Sequence, residues 1–150
     1  MLSTRLVRTI ETNAEELTAG LLAEVMRNPR TAAYQKLGRE ELRSRIYDVY
    51  RNLGRWIGEK TETHVEQVYT QLGKLRRSEG IPLSEVVYLA IREKEHLWDY
   101  VLRAGVVQSA VELYQEEELN LLIDRFFDKV IYFVVRGYEQ GAPARSAAAG

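Results

Sequence analysis

The chain has two histidines, His64 and His96, and no cysteine, so these imidazoles carry most of the metal or nucleophile chemistry open to it. The stretch Glu93-Lys94-Glu95-His96 contains a Glu-x-x-His spacing, which on a helix sets a carboxylate and an imidazole on neighbouring turns. Carboxylate-bridged di-iron bundles use that motif, but they need it twice. The residue three before His64 is Thr61, so the second copy is missing. By helical angle Glu93 and His96 flank the apolar stripe of their segment, and solvent-exposed charge is the simpler expectation for both. His96 is also the candidate proximal ligand of a globin-type haem. No phenylalanine precedes Phe126, so the aromatic packing of a haem pocket would need another residue. Haem or metal binding stays a minor alternative, and no cofactor is expected.

Lys94 breaks the pattern of its own segment. It falls in the middle of the stripe formed by Leu83, Val87, Ala90, Leu97 and Val101, where an unpaired ammonium would be costly. Three outcomes are open: the amine reaches past the stripe to water, it pairs with a carboxylate such as Glu112 or Glu116, or it meets an anionic ligand. Lys94, His96 and Trp98 are accordingly the candidate ligand-binding residues. Lys74, Arg76 and Arg77 cluster near the end of a helix, where cations complement the dipole, and a phosphate contact is the lesser reading. Tyr47, Tyr50, Trp56 and Trp98 are expected to supply core area with a polar edge. The chain lacks a glycine-rich phosphate loop, a G-x-S-x-G elbow, an H-E-x-x-H pair and a kinase signature. No catalytic or metal-ligating residue is therefore assigned, and the chain reads as a non-enzyme.

The elements that must position these residues are helical. Prolines at 29, 82 and 143 separate stretches whose apolar residues recur every three or four positions. Leu6, Ile10, Ala14, Leu17, Leu21 and Val25 predict one helix closed by Asn28-Pro29. A second is predicted over Glu40 to Lys60, a third over Glu62 to Glu79 with Thr61 as N-cap, and a fourth over Pro82 to Arg103 ended by Gly105. Between the last two, Gly80 supplies a left-handed stop and Pro82 a start that loses no hydrogen bond. The final helix, Ser109 to Tyr138, includes an all-apolar run from Val130 to Val135. That run fits a helix buried from several directions, or one that also packs on a second subunit, with Ile131, Tyr132 and Val135 as candidate interface residues. It is too short to cross a bilayer. Residues 141–150 read as a flexible tail or linker after a 1–140 domain.

With 150 residues the chain suits one domain, and 45% hydrophobic with 29% charged residues is an ordinary globular composition. A net charge of -1 provides no basic field to draw it onto nucleic acid or an anionic membrane. The absence of cysteine fits a reducing compartment, and the N-terminus turns acidic before any apolar run, so a cytoplasmic location is expected. The fold expectation is an all-α, single-domain helical bundle of about five to six helices.

Three segments carry a resemblance: YQKLGREELRSRIYDVYRNLGRW at 34–56, LGKLRRSEGIPLSEVVYLAIREKEHLWDYV at 72–101 and VIYFVVRGYEQ at 130–140. Together they resemble the N-terminal sensory domain of RsbT co-antagonist proteins over about residues 34 to 140. The most specific element is the arginine-rich helix end followed by Glu-Gly-Ile-Pro-Leu. The resemblance implies a non-enzymatic sensory or regulatory domain, commonly a homodimer, that passes its signal to a STAS-domain or kinase partner in bacterial stress response. It transfers no catalytic residue, and it keeps a globin-like arrangement without haem as the alternative architecture. No STAS, kinase or DNA-binding module follows within these 150 residues, so the chain is expected to be either the sensory portion of a longer protein, with the Ala/Gly-rich tail as the start of its linker, or a stand-alone regulator. Two functions therefore stay open, a sensor that encloses a pocket with convergent polar groups and a dimerisation or scaffold module with a filled core and an exposed apolar patch.

Overall fold

The computed structural model describes residues 4–59, 62–104 and 110–144, and over these the chain is an all-α bundle with no strand. Six α-helices follow in order: α1 Thr4–Thr12, α2 Ala14–Val25, α3 Arg39–Arg51, α4 Glu62–Ser78, α5 Leu83–Ala104 and α6 Ala110–Gln140. Short 3-10 turns, Pro29–Thr31 and Ala33–Lys36, lead into α3, and a π-helical turn, Arg55–Glu59, leads out of it. The Thr61 cap, Gly105 stop, Ser109 start, Glu112 side chain and the tail from 145 onward lie outside the described residues.

Two predicted helices are shorter or more broken than their periodicity implies. The first divides at Asn13, whose side-chain amide donates to the Thr9 carbonyl at 2.7 Å and so competes with the helical ladder. The second ends at Arg51. There Asn52 leaves helical geometry at φ -116, ψ 29 and turns its amide back onto Asp48. Both corrections share one cause: an apolar stripe continues across the break, while the asparagine side chain interrupts the backbone.

The junction between α4 and α5 follows the sequence expectation closely. Gly80 has φ +78, the Ile81 amide donates to the Arg76 carbonyl, and the Gly80 amide donates to the Arg77 carbonyl. This is the paired closure of a Schellman motif. Pro82 precedes α5, and its carbonyl accepts the first helical amides, those of Glu85 and Val86.

The most extensive helix contact is that of α4 on α6. It depends on two glycines. A Cβ at Gly73 would lie 2.1 Å from the Val134 carbonyl oxygen, and one at Gly137 would lie 2.0 Å from the Thr70 carbonyl oxygen. The two helices therefore touch backbone to backbone, and neither obstruction is a side chain that could swing away. Below this contact Val130, Phe133 and Val134 of the predicted apolar run are buried, Ile131 and Val135 are half-buried, and Tyr132 is 61% exposed. Arg77 closes the far end by donating to the Tyr138 and Glu139 carbonyls near the C-terminus of α6, the position that favours a cation. Gly137→Ala should therefore destabilise the chain beyond the ~1–3 kcal/mol usual for overpacking. Urea unfolding of the variant against wild type would measure this, and an unchanged midpoint would refute the backbone contact.

Candidate functional site

Lys94, His96 and Trp98 do not converge. Alternate residues on one helix point to different sides, and α5 sends these three to different neighbours. The Lys94 ammonium pairs with Asp124 of α6 at 3.4 Å. Of the three outcomes foreseen for Lys94, pairing is the one observed, though with a carboxylate one turn or more beyond those anticipated. His96 faces α2, where its Nε2 lies 2.9 Å from the Leu17 carbonyl. Because a carbonyl oxygen only accepts, that nitrogen carries the proton. Burial lowers the His96 pKa, with the Leu17 hydrogen bond acting in the opposite direction. His96 also borders an open surface cleft of about 470 Å³ with Gly20 and Arg27. Trp98 is half-buried, and its indole N–H is buried without a hydrogen-bond partner.

Solvent-exposed charge, expected at residues 93 and 96, is not what the structure shows. Both are half-buried, and Glu93 turns toward α3 and α4 while His96 turns toward α2. The Glu-x-x-His spacing thus places its two groups in separate environments. Among the described residues no three His, Asp or Glu side chains converge as a metal site would require.

Glu93 instead belongs to a half-open cleft, at whose rim Ser44 and Asp48 are exposed. It lines a cavity of about 250 Å³ with Arg45, Asp48, Trp56 and Tyr69, and an adjoining inner compartment of about 40 Å³ bounded by Tyr34, Arg76, Val130 and Val134. The floor of the cavity is aromatic: Trp56 packs on Tyr69 and on Phe126 with ring centroids 5.6 Å apart in each case. Val49, Val68 and Leu72 add aliphatic wall. The π-helical turn brings Trp56 over α3, where its indole donates to Asp48 at 3.1 Å.

The charges of this region form one connected system. Arg76, expected to complement the helix dipole as part of a basic cluster, is only 2% exposed. Its guanidinium contacts Glu41 at 3.1 Å and Glu79 at 2.8 Å and lies 5.4 Å from the centre of the Tyr34 ring. Arg45 pairs with the same Glu41 through its Nε. Burial would raise the Glu41 pKa, but the Arg45 hydrogen bond and the charges of Arg76 and Arg45 lower it overall. Arg76 retains one buried atom, Nε, without a partner. Helical angle alone hides this arrangement, because the carboxylates that neutralise Arg76 come from α3 and from the turn beyond α4.

Glu93 differs from Glu41 in having no such partner. Burial pushes its carboxyl up to about 8, with the Arg76 charge drawing it partway back. The carboxyl is therefore mostly protonated at neutral pH. Three tyrosines surround this region: Tyr50 donates its hydroxyl to the Glu93 backbone carbonyl at 2.7 Å, and burial raises the pKa of Tyr34, Tyr50 and Tyr69 so that all stay neutral. No protein-family model, curated protein or solved structure matches this chain.

A raised carboxyl pKa makes folding depend on pH with a defined sign. Between the ordinary value of 4.5 and about 8 the folded chain holds a proton that the unfolded chain has released. Stability from this group is therefore complete below about pH 4.5 and declines as pH rises through 8. The lowered pKa of His96 works the other way, so the informative quantity is the difference between wild type and Glu93→Gln. Glu93→Gln should gain on wild type by on the order of a few kcal/mol as pH rises from about 5 to about 9, read by urea unfolding across that range. Parallel pH profiles for the two proteins would contradict the burial of this carboxyl.

Proposed function

We propose that this chain is a non-enzymatic sensory or regulatory domain that binds a small signal molecule in the Glu93 cavity and passes it on by helix repacking. The observation supporting this reading is the cavity itself. It is a half-open cleft in which Trp56, Tyr69, Val49, Val68 and Leu72 stand beside Arg45, Asp48 and Glu93, and a concave surface with apolar walls and a few polar groups is the usual form of a small-molecule site. The resemblance to the N-terminal domain of RsbT co-antagonist proteins points the same way, toward a cytoplasmic regulator whose partner is a STAS-domain protein or kinase. A non-catalytic role is supported by the lining, in which Ser44 is the one hydroxyl nucleophile besides Tyr69 and has no imidazole beside it.

The walls of the cavity explain how occupancy could be read elsewhere. They come from α3, the π-helical turn, α4 and α5, so a ligand touching Arg45 also bears on the chain of ion pairs Arg45, Glu41, Arg76, Glu79. That chain ends at the Schellman turn between α4 and α5. A ligand that favours one arrangement of these pairs over another shifts the helix packing by its difference in affinity for the two.

A second reading, compatible with the first, is homodimerisation through α6. Leu113, Tyr114, Leu121 and Tyr132 are exposed along this helix, and Tyr132 was also a sequence-based interface candidate beside Ile131 and Val135. Native mass spectrometry decides it by the mass of the particle.

Val68→Trp, which fills the cavity from a half-buried wall position, tests the sensory reading. In a ligand-observed NMR screen of a general fragment library, wild type should bind a set of fragments that the folded variant no longer binds. Equal hit sets for both proteins, or none for wild type, would count against a ligand site here.

A further inference from the structure

The charge inventory of the cavity goes further than its shape. Arg45 is the cation of the larger compartment, and its guanidinium is committed to Glu41. The two carboxyls beside it have no such commitment. Asp48 accepts from the Asn52 amide at 3.0 Å and the Trp56 indole at 3.1 Å, both neutral donors, and pairs with no cation among the described residues. Glu93 receives no hydrogen bond or ion pair at its carboxyl among the described residues. Trp56 and Tyr69 line the same cleft, and aromatic rings attract positive charge through their quadrupoles.

We propose that the ligand of this cavity is a compact organic cation, a primary ammonium on a small apolar or aromatic body, with Glu93 as its counter-ion. This deepens the sensory reading and rests on it. The ammonium meets Glu93 and Asp48, while the body packs on Val68, Leu72 and the aromatic floor. An anion of the same size would meet two carboxyls and arginines whose charges are already shared with Glu41 and Glu79. The partnerless Arg76 Nε does not reverse this, since the inner compartment at Arg76 has room for little more than a water-sized group.

The chemistry of occupancy includes a proton. In the empty cavity burial keeps Glu93 protonated, and an incoming ammonium favours the carboxylate, so the proton passes to solvent as the ion pair forms. The other groups facing Glu93 are accounted for. Arg76 and Tyr69 approach from α4, Arg45, Asp48 and Tyr50 from α3, and Tyr34 from the turn before it, whereas α6 contributes only Val130 and Val134 to the lining. The tyrosines stay neutral and the arginines stay charged, which leaves Glu93 as the group that exchanges the proton near neutrality.

Three probes of matched shape test the proposal on the full chain: benzylammonium, benzyl alcohol and benzoate, by isothermal titration calorimetry at about pH 6 and about pH 8. Benzylammonium should bind at least about tenfold more tightly than the other two. Its affinity should rise with pH by up to about tenfold per unit, with proton release visible as a dependence of the heat on buffer. Glu93→Gln should abolish the preference for the cation and its pH dependence. Asp48→Asn should weaken the cation alone, and it supplies the test if Glu93→Gln does not fold. If benzyl alcohol or benzoate binds as well as the cation, and Val68→Trp blocks it, the cation proposal falls and the cavity remains a ligand site. Failure of all three probes overturns the cation proposal, and the fragment screen then decides separately whether the cavity binds anything.

Discussion

The close approach of α4 to α6 is the constraint on which the rest of the molecule depends. With Gly73 against Val134 and Gly137 against Thr70, the two backbones are in contact and a shift of register would drive side chains into carbonyl oxygens. Interiors packed this tightly switch between discrete arrangements and do not deform smoothly. The contact fixes the buried face of α4, on which Tyr69 and Arg76 flank Gly73. It also exposes the end of α6 to Arg77, so that one helix end caps another.

Arg76 then joins three parts of the fold. Burying a guanidinium is unfavourable unless its charge and its donors are met, and Glu41, Glu79 and the Tyr34 ring meet them from three segments. Since Glu41 also holds Arg45, the cations near the cavity are already neutralised when a ligand arrives. Glu93 sits at the edge of this arrangement, close enough to feel the Arg76 charge and too far to pair with it. Its neutrality at physiological pH follows from that position. The same position makes it the group best able to respond when a charge enters the cavity.

Much of the fold was legible in the sequence because the signals were local. The turn at Gly80 and Pro82 depends on the conformations those two residues prefer, and it formed as expected. The stripes placed Leu17, Leu21, Ile46, Leu97 and Ile123 in the core. Where local signals competed, the stripe was the weaker guide: Asn13 and Asn52 each ended a helix that the apolar pattern continued. The site was much less legible. Lys94 drew attention by its angle yet pairs with Asp124 of α6, while Glu93 was expected to be solvent-exposed and Arg76 to complement the helix dipole. Their burial is created by side chains from α3 and from the turn before it, and no spacing within α4 or α5 encodes which helix lies opposite.

The most direct test of this account is the titration of the Glu93 carboxyl itself, followed by side-chain 13C NMR in the ligand-free protein with Glu93→Gln to assign the signal. A midpoint about 8 is predicted, because the carboxyl is desolvated by its surroundings and has no partner of its own. A midpoint near the ordinary 4.5 would show an exposed or fully paired carboxylate and would contradict the site built around it.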